Sequence, residues 1–490
     1  MLDTIINVLL SSFLLTAAMP GYIYGGFVFF ALIPLFFALE KKGPIVSGLI
    51  CFLYFFVFSF LNFNYLIPTL TKGLPELFGR FSPLTGVFVY ALFCIIQAVP
   101  FVIFGVFYGL WGQKIRFRVL EPIFVASLYV ISDFLRGIGD IGFTGGRLSD
   151  ALYNFKGLLQ ILPFTGTLGL VFLITVVNYE FYRILKKNKW NMPYVLSIFA
   201  GIILINGAVE SQLPKSVGSK PVVLAQTNVP QNVKYNYPSE KILRYLEQNF
   251  SDVPDYLIIF PEAVFPGEDI RNSDIEKRLL NIFGDKTIVI GYPTVEEKDV
   301  FNSLHIYSKG KRVNRYDKVK LFPFVEMLPY KSVFGKFDFL KGMYYFTGGT
   351  EKSINIEKYG NVGMIICFES FFPSVVRKLA PQSEFIVVST NDGWYNSKIA
   401  LMQHFVQIIF RAVENNRYFV QVSNTGLSGV SDPFGNFQLL PEKTNWKILY
   451  VDPINKITFY NKHGDYIFLV SLLVVITTGL TAKRKNYMFD

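Results

Sequence analysis

Apolar positions along this chain follow two regimes. Before residue 210 they form long, almost unbroken runs at 5–19, 22–39, 45–61, 84–111, 119–135, 158–182 and 194–208, and a further run, 467–480, lies close to the C-terminus. A helix needs about 20 predominantly apolar residues to cross a bilayer. The pattern therefore predicts seven membrane spans, a large insertion and a closing eighth span. The first run has no basic stretch ahead of it and leads straight into the second, which argues against a cleaved signal peptide.

Between residues 220 and 453 the regime changes. Short β-branched runs at 222–226, 256–260, 287–291, 303–307, 362–366, 385–389 and 418–422 predict strands. Amphipathic segments at 239–250, 274–283, 373–379 and 400–415 predict helices. Tyr359-Gly360-Asn361 and Asp432-Pro433-Phe434-Gly435-Asn436 read as turns. Strands as continuously apolar as 362–366 belong in a sheet covered on both faces. The expected fold is a polytopic α-helical membrane bundle of eight transmembrane helices with an inserted α/β domain. Its divisions are a seven-helix region (1–209), the catalytic insertion (210–465), the eighth helix (466–482) and a basic tail (483–490).

Charge refines this reading. The 490 residues are 51% hydrophobic and have a net charge of +11, which could signal nucleic-acid binding. Much of the positive charge instead sits in short connections: Glu40-Lys41-Lys42, 114–118, 183–189 and Lys483-Arg484-Lys485. Basic connections stay in the cytoplasm. Both termini are then cytoplasmic, and the insertion lies on the opposite face. Three cysteines exclude a disulfide scaffold, and Cys51 and Cys94 lie inside apolar runs.

The third cysteine opens the chemistry. Val362-Gly363-Met364-Ile365-Ile366-Cys367-Phe368-Glu369 is an apolar strand that ends at a thiol. Two other predicted strand ends also present polar groups. Leu257-Ile258-Ile259-Phe260-Pro261-Glu262 ends at a carboxylate, and Arg315-Tyr316-Asp317-Lys318 ends at an ammonium, with Glu326 eight positions on. Taken singly, the carboxylate reads as a solvated turn residue, the lysine as half of a charge pair and the thiol as a small core residue. Together they suffice for acyl transfer through a thioester: a base for the thiol proton, a nucleophile and a fixed positive charge for the oxyanion. No metal or organic cofactor is indicated, because the cysteines lie apart and no Gly-rich phosphate loop follows a strand.

These motifs, in this order, resemble the Glu-Lys-Cys triad of the carbon–nitrogen hydrolase (nitrilase) superfamily. The membrane frame is similar to that of its apolipoprotein N-acyltransferase family. Further matching words are Ala225-Gln226-Thr227-Asn228-Val229-Pro230-Gln231 and Thr390-Asn391-Asp392-Gly393-Trp394-Tyr395. The resemblance implies a nitrilase-like α-β-β-α sandwich for the insertion. It implies Glu262 as general base, Lys318 as oxyanion stabiliser and Cys367 as acyl carrier. Glu326, Glu369, Asn391 and Trp394 are supporting residues, and Tyr235 is an aromatic on a loop near the substrate entrance. It also implies a phospholipid acyl donor, a diacylglyceryl apolipoprotein acceptor, a bacterial inner membrane and a periplasmic catalytic domain. Nothing demands more than a monomer. Phe368 stands where the family usually has Tyr, and Val325 where it usually has Gly. Segments 322–330 and 337–346, rich in Phe and Tyr, are candidates for a lid that touches lipid. A membrane-tethered amidase, with water as acceptor, uses the same three groups and is the alternative.

Overall fold

The structure is a computed structural model that describes residues 2–79, 82–112, 115, 119–214, 218–336 and 345–483. Most of the basic connection 114–118, the tail beyond 483 and most of the lid candidate 337–346 lie outside the described residues. The chain forms two compact units. One comprises Met1–Pro214, Lys398–Val406 and Lys462–Asp490, and the other Lys215–Ser397 and Gln407–Asn461.

The first unit is helical. Its main helices are α1 (Leu2–Ala18), α2 (Pro44–Asn62), α3 (Pro83–Trp111), α4 (Leu120–Leu135), α5 (Leu162–Lys187) and α6 (Met192–Glu210), with a further helix, Tyr466–Lys483, near the C-terminus. Among the described residues, four helical stretches are long and apolar enough to cross a membrane: Pro44–Asn62, Pro83–Trp111, Leu162–Lys187 and Lys189–Glu210. The backbones of α2 and α3 touch. A Cβ on Gly105 would lie 2.2 Å from the Ser47 carbonyl, so only glycine permits this approach.

The predicted second span is not one helix. Residues 22–39 divide into a 3₁₀ turn, Gly25–Phe29, and a short helix, Ile33–Ala38. Hydrophobicity alone does not register the glycines Gly21, Gly25 and Gly26 as breaks. The backbone groups freed by the break need partners away from water, and Asn178 of α5 supplies them. Its Oδ1 accepts from Leu32 N–H at 2.9 Å, and its Nδ2 donates to the Val28 carbonyl at 2.8 Å. A second buried polar cluster surrounds Asp133. Arg136 and Arg147 pair with its two oxygens at 2.9 and 2.8 Å, and Arg136 also donates to the Gly145 carbonyl at 2.8 Å. Each buried charge is therefore paired. Two basic connections meet at one end of the unit. Lys186 lies 3.5 Å from Glu40, which also accepts from the Tyr182 hydroxyl.

The second unit has two six-stranded sheets. The first joins β1 (Lys220–Ala225), β2 (Leu257–Ile259), β3 (Ile288–Glu296), β4 (Asp299–Ser308), β5 (Lys311–Asp317) and β12 (Trp446–Val451) in the order 12-1-2-3-4-5. The second joins β6 (Ser353–Ile356), β7 (Gly360–Ile366), β8 (Phe385–Thr390), β9 (Tyr418–Ser423), β10 (Gly429–Ser431) and β11 (Phe437–Leu439) in the order 11-10-9-8-7-6. Each sheet has three parallel strands at its heart: β1-β2-β3 in one and β7-β8-β9 in the other.

Strand alternation sorts the side chains into layers. Val222, Leu224, Leu257 and Ile259 enter a core shared with Val362, Met364, Ile366, Val420 and Val422 of the other sheet. Val223, Ala225 and Ile258 face the opposite way. They pack on Leu243 and Leu246 of α7 (Ser239–Phe250) and on Leu279 of α8 (Asp274–Phe283). Each buried aliphatic side chain stabilises the fold by roughly 1.5–3 kcal/mol. The apolar strands therefore sit between layers, as predicted for a sheet covered on both faces.

Candidate active site

The site lies where strands end. Glu262 follows β2 in a turn whose next residue, Ala263, has φ 50°. That turn sits directly on β3, since a Cβ on Gly291 would fall 2.5 Å from Ala263 N and 2.8 Å from Glu262 Cα. Lys318 follows β5, and its N–H donates to the Asn302 carbonyl of β4 at 2.9 Å. Cys367 follows β7 directly and opens a 3₁₀ turn, Cys367–Phe371, with φ 51°. A left-handed backbone at a non-glycine residue costs on the order of 1–3 kcal/mol and concentrates at functional sites. Here it turns the thiol out of the strand end.

Three charged side chains meet. Lys318 Nζ lies 2.8 Å from Glu326 Oε2 and 3.5 Å from Glu262 Oε1. Burial alone would lower the lysine. The carboxylates of Glu326 and Glu262, together with the Cys367 thiol, outweigh burial and hold Lys318 above its ordinary value. Lys318 therefore remains an ammonium. The thiol behaves oppositely. Burial pushes Cys367 up, Glu262 and Asp392 add to this, and Lys318 and a hydrogen bond with Thr390 oppose it. With the thiol raised, little thiolate stands ready, so a nucleophilic role for this sulfur would require a base beside it.

The predicted supporting residues divide into two groups. Glu326 joins the cluster directly, and its Oε2 also accepts from Phe322 N–H at 2.8 Å. It lies inside segment 322–330, so that stretch forms the wall holding the lysine. Glu369 lies behind the site. It is fully buried and accepts from the N–H groups of Ile366 (2.6 Å), Val319 (2.7 Å) and Lys320 (3.0 Å) and from the Tyr316 hydroxyl (3.0 Å). One carboxylate thus stitches the end of β5 to the turn that Cys367 opens. Burial nevertheless raises it to about 7 against those donors. Tyr235 lies on a short helix, Gln231–Asn236, with its ring 5.4 Å from that of Trp394 and a hydrogen bond to Asn391. Phe368 packs its ring 4.7 Å from that of Phe322.

Two residues were not foreseen. Asn302 Nδ2 donates to Glu262 Oε1 at 2.7 Å and to Glu326 Oε1 at 3.0 Å, bridging both carboxylates. Lys234 is buried and donates to the Glu262 backbone carbonyl at 3.2 Å. The sequence signal for Asn302 was faint: a polar pair, Asn302-Ser303, within an otherwise strand-like run.

Residues 240–452 match the carbon–nitrogen hydrolase family, and residues 11–179 match the apolipoprotein N-acyltransferase N-terminal domain. An apolipoprotein N-acyltransferase of Thermotoga maritima is 41% identical over 482 residues, spanning 97% of this chain and 93% of the relative. The chain belongs to the apolipoprotein N-acyltransferase family. A second relative of that name, from Rickettsia prowazekii, is 24% identical over 88% of this chain and 95% of its own length. A crystal structure of an amidase from Nesterenkonia sp. overlaps 50% of the chain and 94% of itself, with a TM-score of 0.37 and 16% identity. As a member of an apolipoprotein N-acyltransferase family, the protein is an acyltransferase built on a carbon–nitrogen hydrolase domain, with apolar helices at its N-terminal side.

Proposed function

We propose that this acyltransferase moves a fatty acyl group from a membrane phospholipid to the N-terminal amine of an S-diacylglyceryl cysteine on an apolipoprotein. Cys367 is the carrier. In the first stage its sulfur attacks the ester carbonyl and the C–S bond forms. Glu262 takes the thiol proton and returns it to the departing lysophospholipid oxygen as the C–O bond breaks. In the second stage the amine attacks the thioester carbonyl. The C–N bond forms, the C–S bond breaks, and Glu262 passes the amine proton to the sulfur. Lys318 stays charged throughout and stabilises the oxyanion of both tetrahedral intermediates. The observation that carries this reading is the buried Glu262–Lys318–Glu326 cluster electrostatically coupled to Cys367.

The membrane frame serves the substrates. Pulling an acyl chain into water costs about 0.8 kcal/mol per CH₂, so the nucleophile has to work at the bilayer surface. We assign eight spans to the chain, the second of them the broken segment 22–39, residues 1–209 to the bundle and 210–465 to a periplasmic catalytic domain of a monomer in the bacterial inner membrane. The shared end of connections 40–42 and 183–189 supports one cytoplasmic face. Four stretches already meet the length and apolarity that spanning requires.

The test is intact mass after incubation with phospholipid. The Cys367 peptide should gain a fatty-acyl mass that neutral hydroxylamine removes, and Cys367→Ala should gain none. Acylation retained in Cys367→Ala would overturn the mechanism. An intact, membrane-inserted protein without any adduct would favour the amidase reading.

A further inference from the structure

Lys234 has no task in the scheme above, yet its setting is demanding. It is 2% exposed. Among the described residues its only hydrogen-bond acceptor is a neutral one, the carbonyl of Glu262 at 3.2 Å. Its side chain shares a small, mostly apolar cavity with Val229, Ile242, Tyr245, Leu246 and Val264. Burial lowers its amine to about 7, with the Glu262 carboxylate acting the other way. The ionisable groups facing it are Glu262, at the end of β2, and Tyr245 of α7, whose hydroxyl is engaged by the Thr227 carbonyl at 2.6 Å. A leucine or methionine would fill such a cavity without the desolvation penalty of an amine.

The contact explains the lysine. Glu262 sits in a turn with a left-handed residue immediately after it, so its backbone is not held by a regular strand ladder on that side. Asn302 anchors the carboxylate end of Glu262, and Lys234 anchors the carbonyl end. The next residue of the same helix, Tyr235, reaches Asn391 and Trp394 at the end of β8. The Gln231–Asn236 helix thus touches both sheets of the site. Its own footing is the Asn424 side chain, which donates to the Val229 carbonyl at 2.8 Å and accepts from Val229 N–H at 3.2 Å.

We infer that Lys234 is a positioning residue, whose Nζ holds the Glu262 carbonyl so that the carboxylate stays aimed at Lys318 and Cys367. This rests on Glu262 being the general base. The full-length protein in phospholipid vesicles tests it through the single-turnover rate of Cys367 acylation. Lys234→Met should slow that rate at least about tenfold. The phospholipid concentration at half-maximal rate should stay unchanged, and Tm should not fall. Lys234→Gln, which retains an N–H donor, should recover part of the rate. Adding Lys234→Met to Glu262→Gln should cost nothing further, because the lysine acts through Glu262. A wild-type rate in Lys234→Met would overturn the inference, as would an equal further loss on the Glu262→Gln background. If Lys234→Met does not insert, Lys234→Gln at or below one-tenth of the wild-type rate with lowered Tm would also overturn it, indicating a packing role. A wild-type rate in Glu262→Gln would instead refute the assignment of Glu262 itself.

Discussion

Asn302→Leu is the most informative single change. Leucine keeps the branched four-heavy-atom skeleton of asparagine, is bulkier, and has no donor. The substitution removes a 2.7 Å bond to Glu262 Oε1 and a 3.0 Å bond to Glu326 Oε1. The two carboxylates are affected unequally. Glu326 keeps Lys318 at 2.8 Å and Phe322 N–H at 2.8 Å. Among the described residues, Glu262 is left with Lys318 at 3.5 Å as its nearest side-chain partner. A hydrogen bond to a charged group is worth about 1.5–3 kcal/mol, so losing both donations should destabilise the protein by roughly 2–4 kcal/mol, allowing for relaxation around Lys318. The kinetic effect should be larger than the binding effect. A base displaced by about 1 Å loses on the order of a hundredfold in rate, equivalent to about 2.7 kcal/mol of barrier. Single-turnover acylation of Cys367 in vesicles reads this directly, followed as acyl mass on the Cys367 peptide. A rate within about threefold of wild type, in protein that retains its fold, would mean that the Asn302 bridge does not orient the base.

The electrostatics around the thiol predict opposite signs for its neighbours. Glu262 raises Cys367 and Lys318 lowers it, so Glu262→Gln should alkylate faster with iodoacetamide at fixed pH while losing acyl transfer, and Lys318→Met should alkylate more slowly. The same direction for both variants would refute the assigned charges. Glu369 predicts a pH dependence of stability. Burial raises it from 4.5 to about 7, so between those values the folded chain keeps a proton that the unfolded chain has released. Its stabilising contribution is complete below about pH 4.5 and is lost as pH rises through about 7, by roughly 3 kcal/mol. From pH 4.5 to about 7 the denaturant-unfolding free energy of wild type should fall relative to that of Glu369→Gln by that amount. A constant difference would show that the donors around Glu369 cancel its burial.

Much of the catalytic unit was legible because its cues are local. The helices Ser239–Phe250, Asp274–Phe283 and Pro373–Leu379 agree residue for residue with the amphipathic segments. Ser273 and Pro373 mark the starts of two of them, the first by accepting from Glu276 N–H at 3.3 Å. Glu262, Lys318 and Cys367 stood out because each is a polar residue closing a run of strand-forming residues. The short strands β10 and β11, three residues each, fell below what alternation can reveal. Residues 22–39 read as one continuous helix, and the structure breaks it. Their composition suits a span, and the break depends on an asparagine about 150 residues later.

Runs, motifs and their order along the chain are enough to give the two regimes, the polar residues at three strand ends and the family. The tertiary structure decided which polar groups share one low-dielectric space. Asn302 reaches carboxylates 40 and 24 residues away, Glu369 joins the segment after β5, 50 residues upstream, to the Cys367 turn, and Lys234 meets a carbonyl 28 residues on. No local pattern encodes such pairings. They arise when sheet order brings the carboxyl ends of β2, β5 and β7 to the same site, and burial there sets which group holds its proton and which keeps its charge.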